Sequence, residues 1–223
     1  MYKKTKLLLI FGVFATSLLQ AQTENSPYSR FGLGDELSSQ NILSRGMGGV
    51  SAAYSDIVTV NFINPSSYAR LKRTTFDFGL DIDSRTLKVI DPPRKFSSIS
   101  PIISYIQVGI PLSQKHNWGM NIGLRPVTRI NYNIERNERL TDIDSVNTIF
   151  QGSGGSYVVY TGTGFSIKNV SLGFNVGYLF GTKDYSASRS FIADSSYVFY
   201  YPGKVSNNTN YGGVFVNAGM QYQ

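Results

Sequence analysis

The chain has 223 residues and contains no cysteine, which excludes disulfide frameworks, thiolate metal sites and thiol catalysis. Three of its 21 basic residues and none of its 14 acidic ones lie in residues 1–21, so the remaining basic excess is small. The basic residues after position 21 form no Lys/Arg run of the kind that binds nucleic acid. His116 is the only histidine, which leaves a catalytic triad or a histidine metal site without partners. We expect no nucleic-acid partner, no cofactor, no metal and no enzymatic activity.

The N-terminus has the layout of a signal peptide. Lys3, Lys4 and Lys6 precede an apolar run over residues 7–19, and Ala21 supplies a small residue at the cleavage position. A single membrane anchor is the alternative, but the run is shorter than the roughly 18 residues that such a helix needs. We therefore predict a signal peptide over 1–21 that is cleaved near Ala21.

The mature chain divides into two regions that differ in composition and in sequence pattern. Residues 22–72 are rich in Ser, Gly and Asn and show no long alternation, which predicts a compact irregular segment. From residue 73 onward the sequence alternates with period two, which is typical of β-strands. The predicted strands are residues 74–84, 98–112, 118–134, 156–167, 170–182, a less regular 184–201, and 210–222. Residues 85–97, 135–155 and 201–210 are expected to be long loops.

Residues 170–181 indicate what kind of sheet these strands form. Val170, Leu172, Phe174, Val176, Tyr178 and Phe180 fall on one parity, and mainly Gly, Ser and Asn fall on the other. This run matches the roughly 9–11 residues of a membrane-spanning strand. Only 16% of residues are charged while 13% are aromatic, and short and long connections alternate. The predicted fold is an all-β, transmembrane antiparallel β-barrel over residues 73–223. A soluble β-sandwich is the alternative that the long strands disfavour.

The number of strands bears on whether this barrel is complete. About seven strands are predicted, or eight if residues 184–201 hold two. Bacterial single-chain barrels usually have an even number, eight or more. The chain also stops within alternation, at Gln223 and not at an aromatic residue. These features predict an incomplete barrel, the N-terminal portion of a longer one.

Two segments resemble the FadL family of outer-membrane transporters. The first is a Gly-rich stretch that begins Arg45-Gly46-Met47-Gly48-Gly49 and is followed by Asp56 and then by Asn64-Pro65. The second pairs residues 108–112 with residues 118–126. The resemblance covers residues 45–133 best and implies that residues 22–72 are a hatch that plugs the barrel lumen. Pro65 would then be a fixed kink in the hatch, or else an ordinary turn before the first strand.

The resemblance also implies a function and partners. It implies a barrel in the bacterial outer membrane that mediates passive uptake of long-chain fatty acids or other hydrophobic small molecules. Its partners would be outer-membrane lipid and a hydrophobic ligand. Residues 25–35 depart from the typical hatch. The alternative is a non-transporting barrel that scaffolds a protein secretion or surface-attachment complex together with other outer-membrane proteins.

Four charged residues share the parity predicted to face the lumen. They are Asp77 and Asp81 on the first strand and Arg125 and Arg129 on the third. Because unpaired charges in an enclosed space are unfavourable, we expect interior ion pairs that also clamp the hatch. The alternative is that these charges are solvated and have no defined partners.

Overall fold

The structure is a computed structural model that describes residues 25–90, 92–139, 145–192 and 201–222. These residues form one seven-stranded antiparallel sheet in the order β2-β3-β4-β5-β6-β7, and β1 pairs with β4. The strands are β1 Asp35–Glu36, β2 Thr75–Val89, β3 Arg94–Ser113, β4 Trp118–Arg139, β5 Ser145–Ile167, β6 Val170–Ile192 and β7 Gly203–Tyr222. The all-β antiparallel prediction is confirmed, and within the described residues the sheet is not closed.

Among the described residues, helical structure lies in the region before β2. It comprises a 3-10 turn at Pro27–Arg30, a short α-helix at Ile42–Gly46 and a 3-10 turn at Pro65–Arg70. Among the described residues, no helix has the length and apolarity to cross a membrane. The predicted signal peptide over 1–21 lies outside the described residues.

The strands are longer than the sequence predicts. The prediction of a long loop over residues 135–155 is wrong, because Glu135 pairs with Ile149 and Gly155 pairs with Thr182. The predicted loops at 85–97 and 201–210 are likewise reduced by β2, β3 and β7. Charged and small residues hide the apolar alternation in these stretches, but hydrogen bonding to neighbouring strands continues through them.

Residues 184–201 were expected to form one strand of their own, or two. Instead β6 continues without interruption to Ile192, and Asp184 still pairs with Ser153 on β5. Residues 193–200 lie outside the described residues. The described part of the sheet therefore contains seven strands, one of which is the two-residue β1 that the sequence did not indicate.

The described chain consists of two compact units. The smaller contains Asp81–Ile102, and the larger contains Ser26–Leu80 with residues 103–222. In the smaller unit the Arg85 Nε atom lies 2.6 Å from Asp83 Oδ2. The larger unit holds most of the sheet and all of the contacts discussed below.

Within the larger unit, one sheet face is apolar and exposed, and we call it the outer face. On β6 it carries Leu172, Phe174, Val176, Tyr178 and Phe180, which are between 39% and 50% exposed. The same parity continues into Thr182, Asp184 and Ser186, so the apolar band ends near Phe180. Neighbouring strands add to this face Trp118, Ile122, Leu124, Tyr157, Val159, Phe165, Val214, Val216, Met220 and Tyr222.

The opposite, inner face is small and polar, and residues 26–72 pack on it. We call these residues the N-terminal segment. Phe62 of the segment belongs to a buried cluster with Tyr105, Val158 and Tyr160 of the sheet. The alternation seen in residues 170–181 therefore separates an exposed apolar face from a face that the chain itself covers.

A bulge in β4 changes which residues reach the inner face. The pairing with β5 shifts between Pro126 and Thr128. A shift of one residue exchanges the two faces of a strand. Beyond the bulge, Ile130 and Tyr132 are therefore buried, although their parity in the sequence is that of the outer face.

Candidate functional site: a glycine row beneath the N-terminal segment

Four glycines on neighbouring strands line up across the inner face. Gly119 of β4 pairs with Gly164 of β5, Gly164 pairs with Gly173 of β6, and Gly173 pairs with Gly219 of β7. We call these residues the glycine row. A Cβ atom added at any of them would overlap an atom of residues 64–68. The row therefore forms a trough in which another stretch of chain lies directly against the sheet backbone.

The stretch that lies in the trough is the Pro65–Arg70 turn. Asn64 caps it, because its Oδ1 atom accepts hydrogen bonds from Ser66 N at 3.2 Å and Ser66 Oγ at 2.7 Å. Pro65 occupies the first helical position, where its missing N–H leaves no donor unsatisfied. The Pro65 carbonyl oxygen is the atom that a Cβ at Gly164 or Gly173 would overlap. A locally stable turn is thus fitted to the glycine row by shape.

The next inward-facing row holds the segment by hydrogen bonds from side-chain amides. It consists of Asn121, Gly162, Asn175 and Asn217, which pair in that order across β4 to β7. Asn175 Nδ2 donates to the Phe62 carbonyl at 3.2 Å, and Asn217 Nδ2 donates to the Ile63 carbonyl at 3.0 Å. These amides satisfy backbone carbonyls of the segment that would otherwise be buried without partners.

Tyr68 joins the turn to the same amide row. Its side chain is fully buried, and its hydroxyl donates to Asn175 Oδ1 at 3.0 Å and accepts from Asn121 Nδ2 at 3.3 Å. Burial raises the pKa of Tyr68 to about 12, while the hydrogen bonds with Asn121 and Asn175 oppose that shift. The hydroxyl is therefore neutral over the ordinary pH range and serves as a donor and acceptor.

A second polar cluster ties the segment to β2 and β3. Gln107 is fully buried, and its Nε2 atom donates to Asp77 Oδ2 at 2.9 Å and to the Val60 carbonyl at 3.1 Å. Tyr105 donates through its hydroxyl to Asp77 Oδ1 at 3.2 Å and accepts from Ile42 N at 3.2 Å. The segment is thus hydrogen bonded to the sheet near its Ile42–Gly46 helix as well as near its Pro65–Arg70 turn.

The predicted hatch motif lies within the segment, and several of its residues have local roles. Arg45 and Gly46 end the Ile42–Gly46 helix, and Gly48 and Gly49 follow with φ values of 74° and 89°. Asp56 accepts hydrogen bonds from Thr59 Oγ1 at 2.9 Å and from Ile57 N at 2.6 Å. Asn64 and Pro65 start the turn that lies on the glycine row.

The surroundings of the four charges expected to form ion pairs are described only in part. Asp77 accepts from Tyr105 and Gln107. The Arg125 guanidinium lies over the Phe62 ring at 5.5 Å and the Phe215 ring at 6.0 Å. Asp81 belongs to the smaller unit, and Arg129 pairs through its backbone with Asp35 beyond the β4 bulge. The ladder of ion pairs stays a prediction.

The contacts described above are close packing and hydrogen bonds between the segment and the sheet. The described residues contain no group of three His, Cys, Asp or Glu side chains that could hold a metal ion. His116 is exposed in the turn between β3 and β4, within 3.0 Å of Ser113 Oγ. In structural terms, the site fixes residues 60–70 against five strands of one sheet, β3 to β7.

Comparison with known proteins gives the family. The BamG family model matches residues 1–223, the whole chain. The chain belongs to the BamG family. BamG is a component of the BAM outer-membrane assembly complex, so the chain acts at the bacterial outer membrane in association with other outer-membrane proteins. No curated protein and no solved structure matches it.

The BamG match corrects the FadL resemblance, which is wrong together with the uptake of fatty acids or other hydrophobic molecules that it implied. The resemblance depended on a short Gly-rich stretch and an Asn-Pro pair. In the structure, Gly48, Gly49, Asn64 and Pro65 are explained by a helix end and a capped turn. Such local features recur in unrelated proteins. The alternative of a secretion or attachment scaffold is also corrected, because it names a different scaffolding role from that of BamG.

Replacing Tyr68 with phenylalanine tests the amide row. The change leaves Asn175 Oδ1 without its donor, so we expect the free energy of unfolding to fall by about 1–3 kcal/mol. Because the folded-state pKa lies above the unfolded value, the wild type should also lose stability as pH rises from about 10 to about 12. Urea unfolding at pH 8 and at pH 11 would show a smaller pH-dependent loss in Y68F. An equal loss in both proteins would contradict the role given to Tyr68.

Proposed function

We propose that this chain serves as a structural subunit in the assembly of outer-membrane proteins, as a membrane-embedded β-barrel wall whose interior is plugged by its own N-terminal segment. The observation that carries the proposal is the fit of the Pro65–Arg70 turn into the glycine row. A sheet whose inner face is built to hold its own chain is suited to being a rigid part of a complex.

The dimensions of the outer face support a membrane position. On β6 the apolar band spans residues 170–180, which at about 3.3 Å per residue and a tilt of about 45° gives a height of roughly 25 Å. That height equals the apolar band of outer-membrane barrels. Beyond the band, β6 continues with polar residues to Ile192, which would project outside the bilayer.

Three polar side chains within the band have internal partners. Thr161 Oγ1 donates to the Asn121 carbonyl at 3.2 Å, and Thr163 Oγ1 donates to the Gly119 carbonyl at 2.9 Å. Trp118, the only tryptophan, donates through its indole N–H to Thr163 Oγ1 at 2.7 Å. Lipid offers no hydrogen bonds, so this internal satisfaction is what a lipid-facing surface requires. Outer-membrane lipid is accordingly a proposed partner.

The N-terminal segment crosses the inner face at a second level, which supports its role as a plug. Ser26 N donates to the Asn131 carbonyl at 2.8 Å, and Lys183 Nζ donates to the Gly32 carbonyl at 2.8 Å. The first contact is to β4 and the second is to β6. The segment therefore contacts the inner face at the level of Asn131 and Lys183 as well as at the glycine and amide rows. We propose a scaffold that catalyses no reaction.

Depletion of the protein in its native cells tests the proposed function. We expect several unrelated β-barrel proteins to decrease together in the outer membrane, measured by quantitative proteomics of that fraction, while inner-membrane proteins stay constant. Re-expression of the full chain should restore their levels. Unchanged levels of outer-membrane barrels after complete depletion would contradict the proposal.

A further inference from the structure

Basic side chains collect at the end of the sheet where short turns join the strands. Arg73 precedes β2, Lys115 lies in the turn between β3 and β4, and Lys168 lies in the turn between β5 and β6. In an antiparallel sheet these three positions lie at the same end of the strands. The end of the N-terminal segment adds two more cations there. We call the five residues the basic rim, and each is exposed or half-buried: Arg70, Lys72, Arg73, Lys115 and Lys168.

Hydrogen bonds join the parts of the basic rim into one surface. Lys72 Nζ donates to Asn117 Oδ1 at 2.9 Å, and Gln114 Nε2 donates to the Lys72 carbonyl at 3.0 Å. Ser166 N, two residues before Lys168, donates to the Asn117 carbonyl at 3.1 Å. The segment and both turns therefore hold fixed positions, so ordering them costs little free energy when a partner binds.

The basic rim carries an excess of positive charge. No aspartate or glutamate occurs in the three stretches that contain its cations, residues 65–76, 108–123 and 160–175. Asp56 is an acidic residue beside the rim, since Lys72 N donates to the carbonyl of the following residue, Ile57, at 2.9 Å. Asp56 itself accepts a hydrogen bond from Ile57 N at 2.6 Å. An excess of this kind attracts and orients a partner of opposite charge.

Two exposed apolar side chains lie beside the same surface. Ile57 is 53% exposed and Val58 is 40% exposed. Charged groups around a small apolar patch are the usual composition of a protein interface. A lipid head group beside the outer face would reach the turns, but Arg70 and Lys72 belong to the segment that packs on the inner face. The whole surface therefore fits a protein that lies across this end of the sheet better than it fits a lipid.

We propose that the basic rim docks an acidic segment of a partner protein, with Ile57 and Val58 in contact with apolar side chains of that segment. Carboxylates of the partner accept charged hydrogen bonds from the ammonium and guanidinium groups of the rim. The inference rests on the proposed assembly function, which it deepens by assigning one end of the sheet to a partner. Crosslinking measures contact and not the levels of other barrels, so the two proposals can fail separately.

Photo-crosslinking of the full chain in its native cells tests the docking surface. A benzophenone amino acid replaces His116, which is exposed in the turn between β3 and β4. We expect an adduct of protein size, attached within a stretch of the partner that has more acidic than basic residues. The variant K72Q/K115Q/K168Q should reduce the adduct by about 10-fold, because three ion pairs are lost. The variant K72R/K115R/K168R keeps the charges and should retain the adduct.

The matched control removes three exposed cations from the opposite end of the sheet. It is R139Q/R189Q/K204Q, which changes the net charge equally and should leave the adduct unchanged. Each adduct is normalised to the amount of that variant in the outer membrane. The proposal is overturned by the absence of an adduct, an adduct of lipid mass, or attachment to a neutral or basic stretch. An equal loss in both glutamine variants, or an equal loss in the arginine variant, would also overturn it.

Discussion

Replacing Gly173 with valine is expected to displace the N-terminal segment from the sheet. The new side chain would overlap the Pro65 carbonyl group and come within 2.6 Å of Ser66 N, and both are backbone atoms that cannot rotate away. Overpacking of this kind lowers the free energy of unfolding by about 1–3 kcal/mol. Urea unfolding in lipid vesicles, followed by the fluorescence of Trp118, would measure the loss.

The Gly173 experiment is informative because the expected loss in the free energy of unfolding is opposite to the usual effect. Valine normally stabilises a strand more than glycine does. Gly213→Val is the matched control, because that position is also inward-facing but has open space. We expect the control to be neutral or stabilising. Limited proteolysis should also cut residues 26–72 in the Gly173 variant alone. If both variants behave alike, the glycine row is not the docking surface.

Replacing Val176 with arginine is expected to lower the free energy of unfolding by a similar amount, for a different reason. Val176 lies in the middle of the apolar band and is 45% exposed on the outer face. An arginine near the middle of a bilayer destabilises an outer-membrane barrel by about 2–4 kcal/mol. Unfolding titrations in vesicles would show this loss as a lower urea midpoint.

Ser190→Arg is the control for the Val176 experiment. Ser190 has the same parity on β6 but lies ten residues beyond Phe180, in the polar part of the strand. We expect its free energy of unfolding to stay within about 0.5 kcal/mol of the wild type. A similar loss in both variants would indicate that the outer face does not meet lipid.

The sequence alone was sufficient to predict which residues lie on each face of the sheet where the alternation is uninterrupted. Residues 170–181 predict both the apolar outer face and the small inner face, because a strand has a fixed period of two. The same rule fails after Pro126, where a bulge reverses the parity of Ile130 and Arg129. A bulge depends on the neighbouring strand, so one sequence stretch does not reveal it.

The glycine row could not be predicted from the sequence for a related reason. Gly119, Gly164, Gly173 and Gly219 are far apart in the chain, and only the cross-strand register brings them into one row. Their common signal in the sequence is a glycine within a few residues of each short turn or strand end. The family, in turn, required the whole chain, because the Gly-rich motif around Gly48 alone suggested a transporter.

A scan of residues 172–180 with single cysteines tests the central claim most directly, and the absence of native cysteine makes the scan clean. Each variant would carry a spin label in the outer membrane, and its collisions with oxygen and with a water-soluble nickel complex would be compared. We predict high oxygen access at the even positions. At position 179 we predict access to neither reagent, because Leu179 packs against the buried cluster that contains Phe62. Positions 173, 175 and 177 are left out of the scan, because a label there would overlap neighbouring atoms or remove a hydrogen bond to the segment. Nickel access at the even positions, or the absence of alternation, would contradict a membrane wall with a filled inner face.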